Sequence, residues 1–254
     1  MSTNLHNKPA FTLNLELKNP VRDGADIDIT DNEGNTPFFW SCVGGNITLV
    51  NMIIDAGCDI QTSNKDGITP LMIACGYGHL SLVNLLIEKR ADINITDKNG
   101  MTPLFWSCYA GNEDKACLLI CKDFIENNPC NDRCTPRRVL MDASINVFDT
   151  EGQTPFYLSC GGGNIDTVNL LIDKICDIHK PTNIGYMPFM VTRSKGHRSI
   201  VKLLIDNGAE IDSTDKREHT QFYLACFRGD VDLVNLLLEE GCDIHKPNIY
   251  GFTL

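Results

Sequence analysis

The sequence predicts an all-α repeat solenoid, and three periodic features predict it. Thr-Pro recurs at 36–37, 69–70, 102–103 and 154–155, so successive prolines stand 33, 33 and 52 residues apart. Counting on by 33 from Pro155 reaches Pro188, then Gln221 beside Thr220, then Leu254 beside Thr253. Glycines keep the same beat in two registers, one running Gly45, Gly78, Gly111, Gly163, Gly196, Gly229 and the other Gly34, Gly67, Gly100, Gly152, Gly185, Gly251. Self-similarity at a period in this range marks modules that bury a core only by stacking. Six units share the period, and the third carries 19 extra residues.

Within a unit the order is tip, helix, turn, helix, return, and the second unit shows why. Asp66-Gly67 is a turn signal, because glycine enters the positive-φ region that tight turns need. Thr69 has the hydroxyl of an N-cap, and Pro70 suits the first helical position, where no amide donor is required. The short helix from Leu71 to Cys75 stops at Gly76-Tyr77-Gly78. A second helix then places Leu82, Val83, Leu86 and Ile87 on one face at helical spacing. Ala91-Asp92-Ile93-Asn94 leads back to the next tip. The same apolar face recurs as Val50/Ile53/Ile54, Val168/Leu171/Ile172, Val201/Leu204/Ile205 and Val234/Leu237/Leu238.

This pattern resembles the ankyrin-repeat family, whose unit runs roughly D-x-x-G-x-T-P-L-H-x-A-A-x-x-G-H, an apolar helix, then G-A-D-V-N. The residues that carry the resemblance are Gly67-Ile68-Thr69-Pro70-Leu71-Met72-Ile73-Ala74-Cys75-Gly76-Tyr77-Gly78-His79, with Gly24-Ala25-Asp26-Ile27-Asp28 at an earlier return. It covers about residues 24–254. The resemblance implies helix–turn–helix units with projecting β-turn fingers, about six full repeats plus degenerate ends, and a partner protein bound on the concave side. The units fall near 31–63, 64–96, 97–148, 149–181, 182–214 and 215–247, with a partial unit at 248–254. Residues 1–23 form a tail and a worn capping half-repeat, its apolar pattern interrupted by Pro20. Stopping one turn into a seventh unit fits a fragment of a longer array.

Departures from the family pattern set further expectations. Phe39, Met72, Phe105, Tyr157, Met190 and Tyr223 replace the family histidine, so its hydrogen bond near the tip is expected to be missing. Met187-Pro188 has no capping hydroxyl. In the sixth unit Glu218 stands in place of a tip glycine and Gln221 in place of proline. Each such loss typically costs on the order of 1 kcal/mol, so the sixth unit is expected to fray first.

Charge and cysteine usage bound the function. A formal charge of −11 repels phosphate backbones and anionic lipid, which argues against nucleic-acid and membrane partners. No secretory signal opens the chain and no run of 18 apolar residues occurs in it. The twelve cysteines read as reduced thiols, placing the protein in the cytoplasm or nucleus. Cys42, Cys75, Cys108, Cys160 and Cys226 share one repeat position, and Cys58, Cys176 and Cys242 another, both alanine positions in the family. They serve as small packing residues. Cys117/Cys121 and Cys130/Cys134 are each spaced C-x-x-x-C, within the range of structural zinc sites but matching no familiar finger, and no metal or other cofactor is assigned. They flank or lie in an insertion at about 124–142, where Arg133, Arg137 and Arg138 make a basic spot. That segment is either a contact for an acidic or phosphorylated partner or a tolerated loop left by repeat decay.

No catalytic set assembles. The histidines fall on repeat positions, Gly161-Gly162-Gly163 lacks the Lys-Ser/Thr of a phosphate loop, and no enzyme is expected. Tip residues Asn32, Glu33, Lys65, Asp66, Lys98, Asn99, Thr150 and Glu151 are the candidates for register and specificity toward a partner protein. Tyr77, Tyr109 and Phe227, just before the inter-helix glycines, are the candidate anchors, since aromatic side chains dominate interface energetics. Trp40 and Trp106, in matching Phe-Trp-Ser-Cys stretches, are read as packing between units. The alternatives are a recognition arm of a larger multidomain regulator, or a metal-dependent site in the 124–142 insertion.

Overall fold

The computed structural model describes residues 27–114, 116, 119, 145–174, 176–214 and 219–246. The capping half-repeat, the insertion with its three arginines, Cys117, Cys121, Cys130 and Cys134, Glu218 and the partial seventh unit lie outside the described residues. Eleven named helices follow one another: α1 (Pro37–Gly44), α2 (Ile47–Asp55), α3 (Pro70–Gly76), α4 (Leu80–Glu88), α5 (Pro103–Tyr109), α6 (Pro155–Gly162), α7 (Ile165–Asp173), α8 (Pro188–Ser194), α9 (Arg198–Asp206), α10 (Gln221–Arg228) and α11 (Val231–Glu239). Among the described residues no strand forms, apart from one isolated bridge between Thr214 and Thr220. Glu113, Asp114, Ala116 and Leu119 are also helical, with Ala116 and Leu119 buried, so the polar start of the third unit's second helix does not abolish it.

Each first helix begins as the sequence dictates. Thr36, Thr69, Thr154 and Thr220 accept the amide three residues on, at 3.1, 3.3, 3.1 and 3.1 Å. Proline occupies the next position in α1, α3, α5, α6 and α8, and Gln221 occupies it in α10. Thr102 is the exception among the threonines, its buried hydroxyl lacking a partner. The first helices stack in series, α1 on α3, α3 on α5, α5 on α6 and α6 on α8, while α2, α4, α7, α9 and α11 each pack behind the first helix of their own unit. Phe38, Phe156, Leu71, Leu82, Leu86, Leu171 and Leu204 fill one continuous core along that stack. The repeated apolar face of the second helices is buried at Val50, Ile53, Val168, Leu171, Val201, Leu204 and Leu237 and half-buried at Ile54, Ile172, Ile205 and Val234, and it opens at its far edge. There Leu238 of α11 is 46% exposed.

A side chain at the head of most second helices stitches its unit to the one before. His79 and His197 donate from Nε2 to Val43 O (3.0 Å) and Gly161 O (3.1 Å), which places the ring proton on Nε2. Asn112 and Asn164 do the same job through Nδ2, to Cys75 O and Gly111 O at 2.9 Å each. The glycine of the preceding unit follows from this. Gly45 and Gly163 adopt positive φ (66° and 82°), and a Cβ on either would fall inside the His79 or His197 ring.

Candidate functional site

The fingers are built by one residue per unit. Asp31 Oδ1 accepts the amides of Glu33 and Asn35, Asn64 Oδ1 those of Asp66 and Ile68, Asp97 Oδ1 those of Asn99 and Met101, and Asp149 Oδ1 those of Glu151 and Gln153. A short acceptor side chain that takes two amides in turn imposes a tight tip without a partner strand. Successive tips are then joined by one backbone bond per step: Lys65 N to Glu33 O, Lys98 N to Asp66 O, Thr150 N to Asn99 O and Asn183 N to Glu151 O, at 2.8–2.9 Å. The eight tip residues picked from sequence, Asn32, Glu33, Lys65, Asp66, Lys98, Asn99, Thr150 and Glu151, are all exposed. Lys65 also spends its ammonium on Asn32 O at 2.9 Å, bracing the first finger step.

Tryptophan supplies what the missing histidine was expected to leave unmade in two of the units. Trp40 Nε1 donates to Asp31 Oδ2 at 2.9 Å, and Trp106 Nε1 to Asp97 Oδ2 at 3.3 Å, so each first helix still holds its own finger. Trp106 is buried and Trp40 half-buried, in line with a packing role. Burial pulls the Asp31 carboxyl up, but bonds from the Asn35 side chain and backbone, the Trp40 indole and the Glu33 amide outweigh it and hold the group below its ordinary range. At Asp149 burial prevails over the two backbone bonds, helped by the nearby charges of Glu151 and Asp97, and the carboxyl is raised.

Beside the fingers lies an open groove of about 710 Å³, lined by Gly76 and Tyr77, Tyr109 and Ala110, Gln153 and Tyr157, and by Val191 and Lys195. It spans four units, from the end of α3 to the end of α8. Tyr77 and Tyr109, two of the three aromatics chosen from sequence, come together here, at 40% and 49% exposure. Phe227, the third, is not among the lining residues; it stands 78% exposed on α10, stacked beside Tyr223 at 6.4 Å between ring centroids. Sequence reasoning missed Tyr157, Gln153 and Lys195. Tyr157 sits at the family-histidine position, and its phenol is pushed up to about 12, by burial first and then by Tyr186, Glu151 and Asp149. Lys195 carries the only visible signal, a cation at the repeat position where Tyr77 stands in the second unit.

The cysteines behave as packing residues. Burial pushes the Cys42 and Cys108 thiols up to about 12, and it raises those of Cys160 and Cys176 as well. A thiol held protonated is neither a nucleophile nor a metal ligand at neutral pH. Among the described residues no group of three or more His, Cys, Asp or Glu side chains is placed to hold a metal ion, and no helix is long and apolar enough to cross a membrane.

A family model described as ankyrin repeats (3 copies) matches residues 10–97, 45–131, 91–182, 130–215 and 163–248. A search of curated proteins finds no match.

Proposed function

The chain belongs to the ankyrin-repeat family, and from that premise we propose that it is a non-enzymatic scaffold gripping one partner protein through its finger tips and the tyrosine groove beside them. Ankyrin repeats generally mediate protein–protein interactions, and the observation that carries the specific reading is the groove itself. Tyr77 and Tyr109 converge on one lining from different units, half-exposed, and Gln153 of the fourth finger shares that lining. Large amphipathic rings with little rotamer freedom are the side chains that most often anchor an interface, and a polar rim supplies its register. A standard interface of about 800 Å² per partner fits three or four units.

The test uses Tyr77→Ala combined with Tyr109→Ala. Affinity capture with mass spectrometry identifies the partner, and titration of that purified partner follows. The double variant is expected to lose roughly 2 kcal/mol or more of binding while its helical signal and melting transition persist. A partner that binds the double variant unchanged removes the groove from the interface.

A further inference from the structure

The lining of the groove states what kind of segment it accepts. Its walls are the ring bodies of Tyr77, Tyr109 and Tyr157 with the aliphatic Leu158 and Val191, a surface that holds an apolar side chain. Among the described residues its one charged lining residue is a cation, Lys195, on a chain with 33 acidic against 22 basic side chains, and no carboxylate lines it. The nearest acid of the fourth finger, Glu151, is engaged by Gln153 Nε2 at 2.7 Å. The tyrosine hydroxyls add donors, and burial keeps that of Tyr157 protonated throughout the physiological range.

The positive character continues past the groove. Tyr77, Ala110, Gly162, Lys195 and Arg228 occupy one repeat position in successive units, so this row turns cationic in the last two. Arg228 is exposed and reaches back to the fifth unit, donating to Ser194 O at 3.1 Å. Exposed Glu33, Asp66 and Glu151 along the fingers oppose a polyanion laid over the same face. An isolated carboxylate set beside an apolar side chain satisfies both conditions.

Resting on the groove reading above, we propose that the occupant is a short partner segment carrying an apolar residue followed by an acidic one, the apolar side chain seated against Tyr109 and Tyr157 and the carboxylate paired with Lys195. A single lysine is a point charge that suits a monoanionic carboxylate, whereas recognition of a phosphate dianion favours arginine forks.

Peptide phage display against the full chain tests this, followed by calorimetric titration of the enriched peptide. The expected result is enrichment of an aromatic or aliphatic residue next to Asp or Glu, with binding weakened about tenfold or more by Lys195→Glu. Changing the peptide's acid to lysine should abolish binding to the wild type and restore it to Lys195→Glu. Lys195 is exposed, and unchanged melting of the variant serves as the folding control. Enriched peptides that are neutral or basic, yet lose affinity on Tyr109→Ala, overturn the acidic-segment proposal and leave the groove reading standing. Peptides indifferent to both Tyr109→Ala and Lys195→Glu overturn the groove reading as well. Enrichment of no peptide, or tighter binding of a single-stranded oligonucleotide that Lys195→Glu abolishes, overturns the proposal.

Discussion

Gln221 occupies the place that proline holds in the five preceding units, and the structure makes the consequence quantitative. Its side chain is fully buried, at 0% exposure, and among the described residues neither its amide oxygen nor its amide nitrogen has a hydrogen-bond partner. A buried polar group left unpaired costs about 1–3 kcal/mol. Substituting proline adds about 0.4–1 kcal/mol by restricting the unfolded chain, provided that the backbone already suits it. It does. Thr220 sits at φ −76°, ψ 162°, the extended geometry that a residue before proline requires, and Gln221 is the first residue of α10, where the amide is an orphan donor in any helix. The smaller ring leaves a little unfilled space, which costs up to about 1 kcal/mol. Gln221→Pro is therefore expected to stabilise the sixth unit by about 1–2 kcal/mol. Because repeat units open semi-independently, the readout is native-state hydrogen exchange over residues 221–239, which should slow roughly tenfold while residues 70–88 hardly change. Gln221→Ala separates the two contributions, since it removes the amide without restricting φ. Faster exchange in the proline variant would refute both the unpaired amide and the idea that the sixth unit is weakened at this residue.

Three further outcomes follow from named contacts. Trp106→Phe removes the indole donor from the buried carboxylate of Asp97 and should cost about 1–2 kcal/mol in urea denaturation. Trp40→Phe acts on the exposed Asp31 and should cost less; the reverse order would show that the finger bond is not what matters. The thiols of Cys42 and Cys108 keep their protons up to about pH 12 when folded and lose them near the ordinary value of 9.0 when unfolded. The folded state thus holds more protons between those values, and stability should fall by about 1.4 kcal/mol per pH unit for each thiol above pH 9. Replacing both by alanine should lessen the fall of urea midpoints from about pH 8 to 10.5, with Cys160 and Cys176 sustaining the remainder, and an unchanged slope would count against burial as the cause. Finally, Arg198 pairs with Asp230 and Asp232, and Lys202 with Glu240, so exposed ion pairs bridge the fifth and sixth units. Raising salt to about 0.5 M, roughly three times physiological ionic strength, should speed exchange over 221–239 and leave 70–109 unaffected.

The periodicity of 33, the threonine caps, the apolar faces of the second helices and the interior placing of most of the described cysteines were all legible in the chain. Apart from the period itself, each depends on residues within about one turn of one another or on a repeat position, and such rules hold wherever the backbone goes. The finger tips were legible for the same reason. What needed the tertiary structure were the contacts beyond a helical turn, within a unit or one repeat away. The indole of Trp106 reaches Asp97 nine residues earlier, and the His79 ring meets Val43 O thirty-six residues back. Neither separation is a helical or strand spacing, so no local pattern announces it. The groove is the extreme case: Tyr77, Tyr109, Tyr157 and Lys195 come from four units and meet only because α3, α5, α6 and α8 stack in series. Period alone tells that modules repeat, while the rotation and offset between neighbours decide which side chains share a surface.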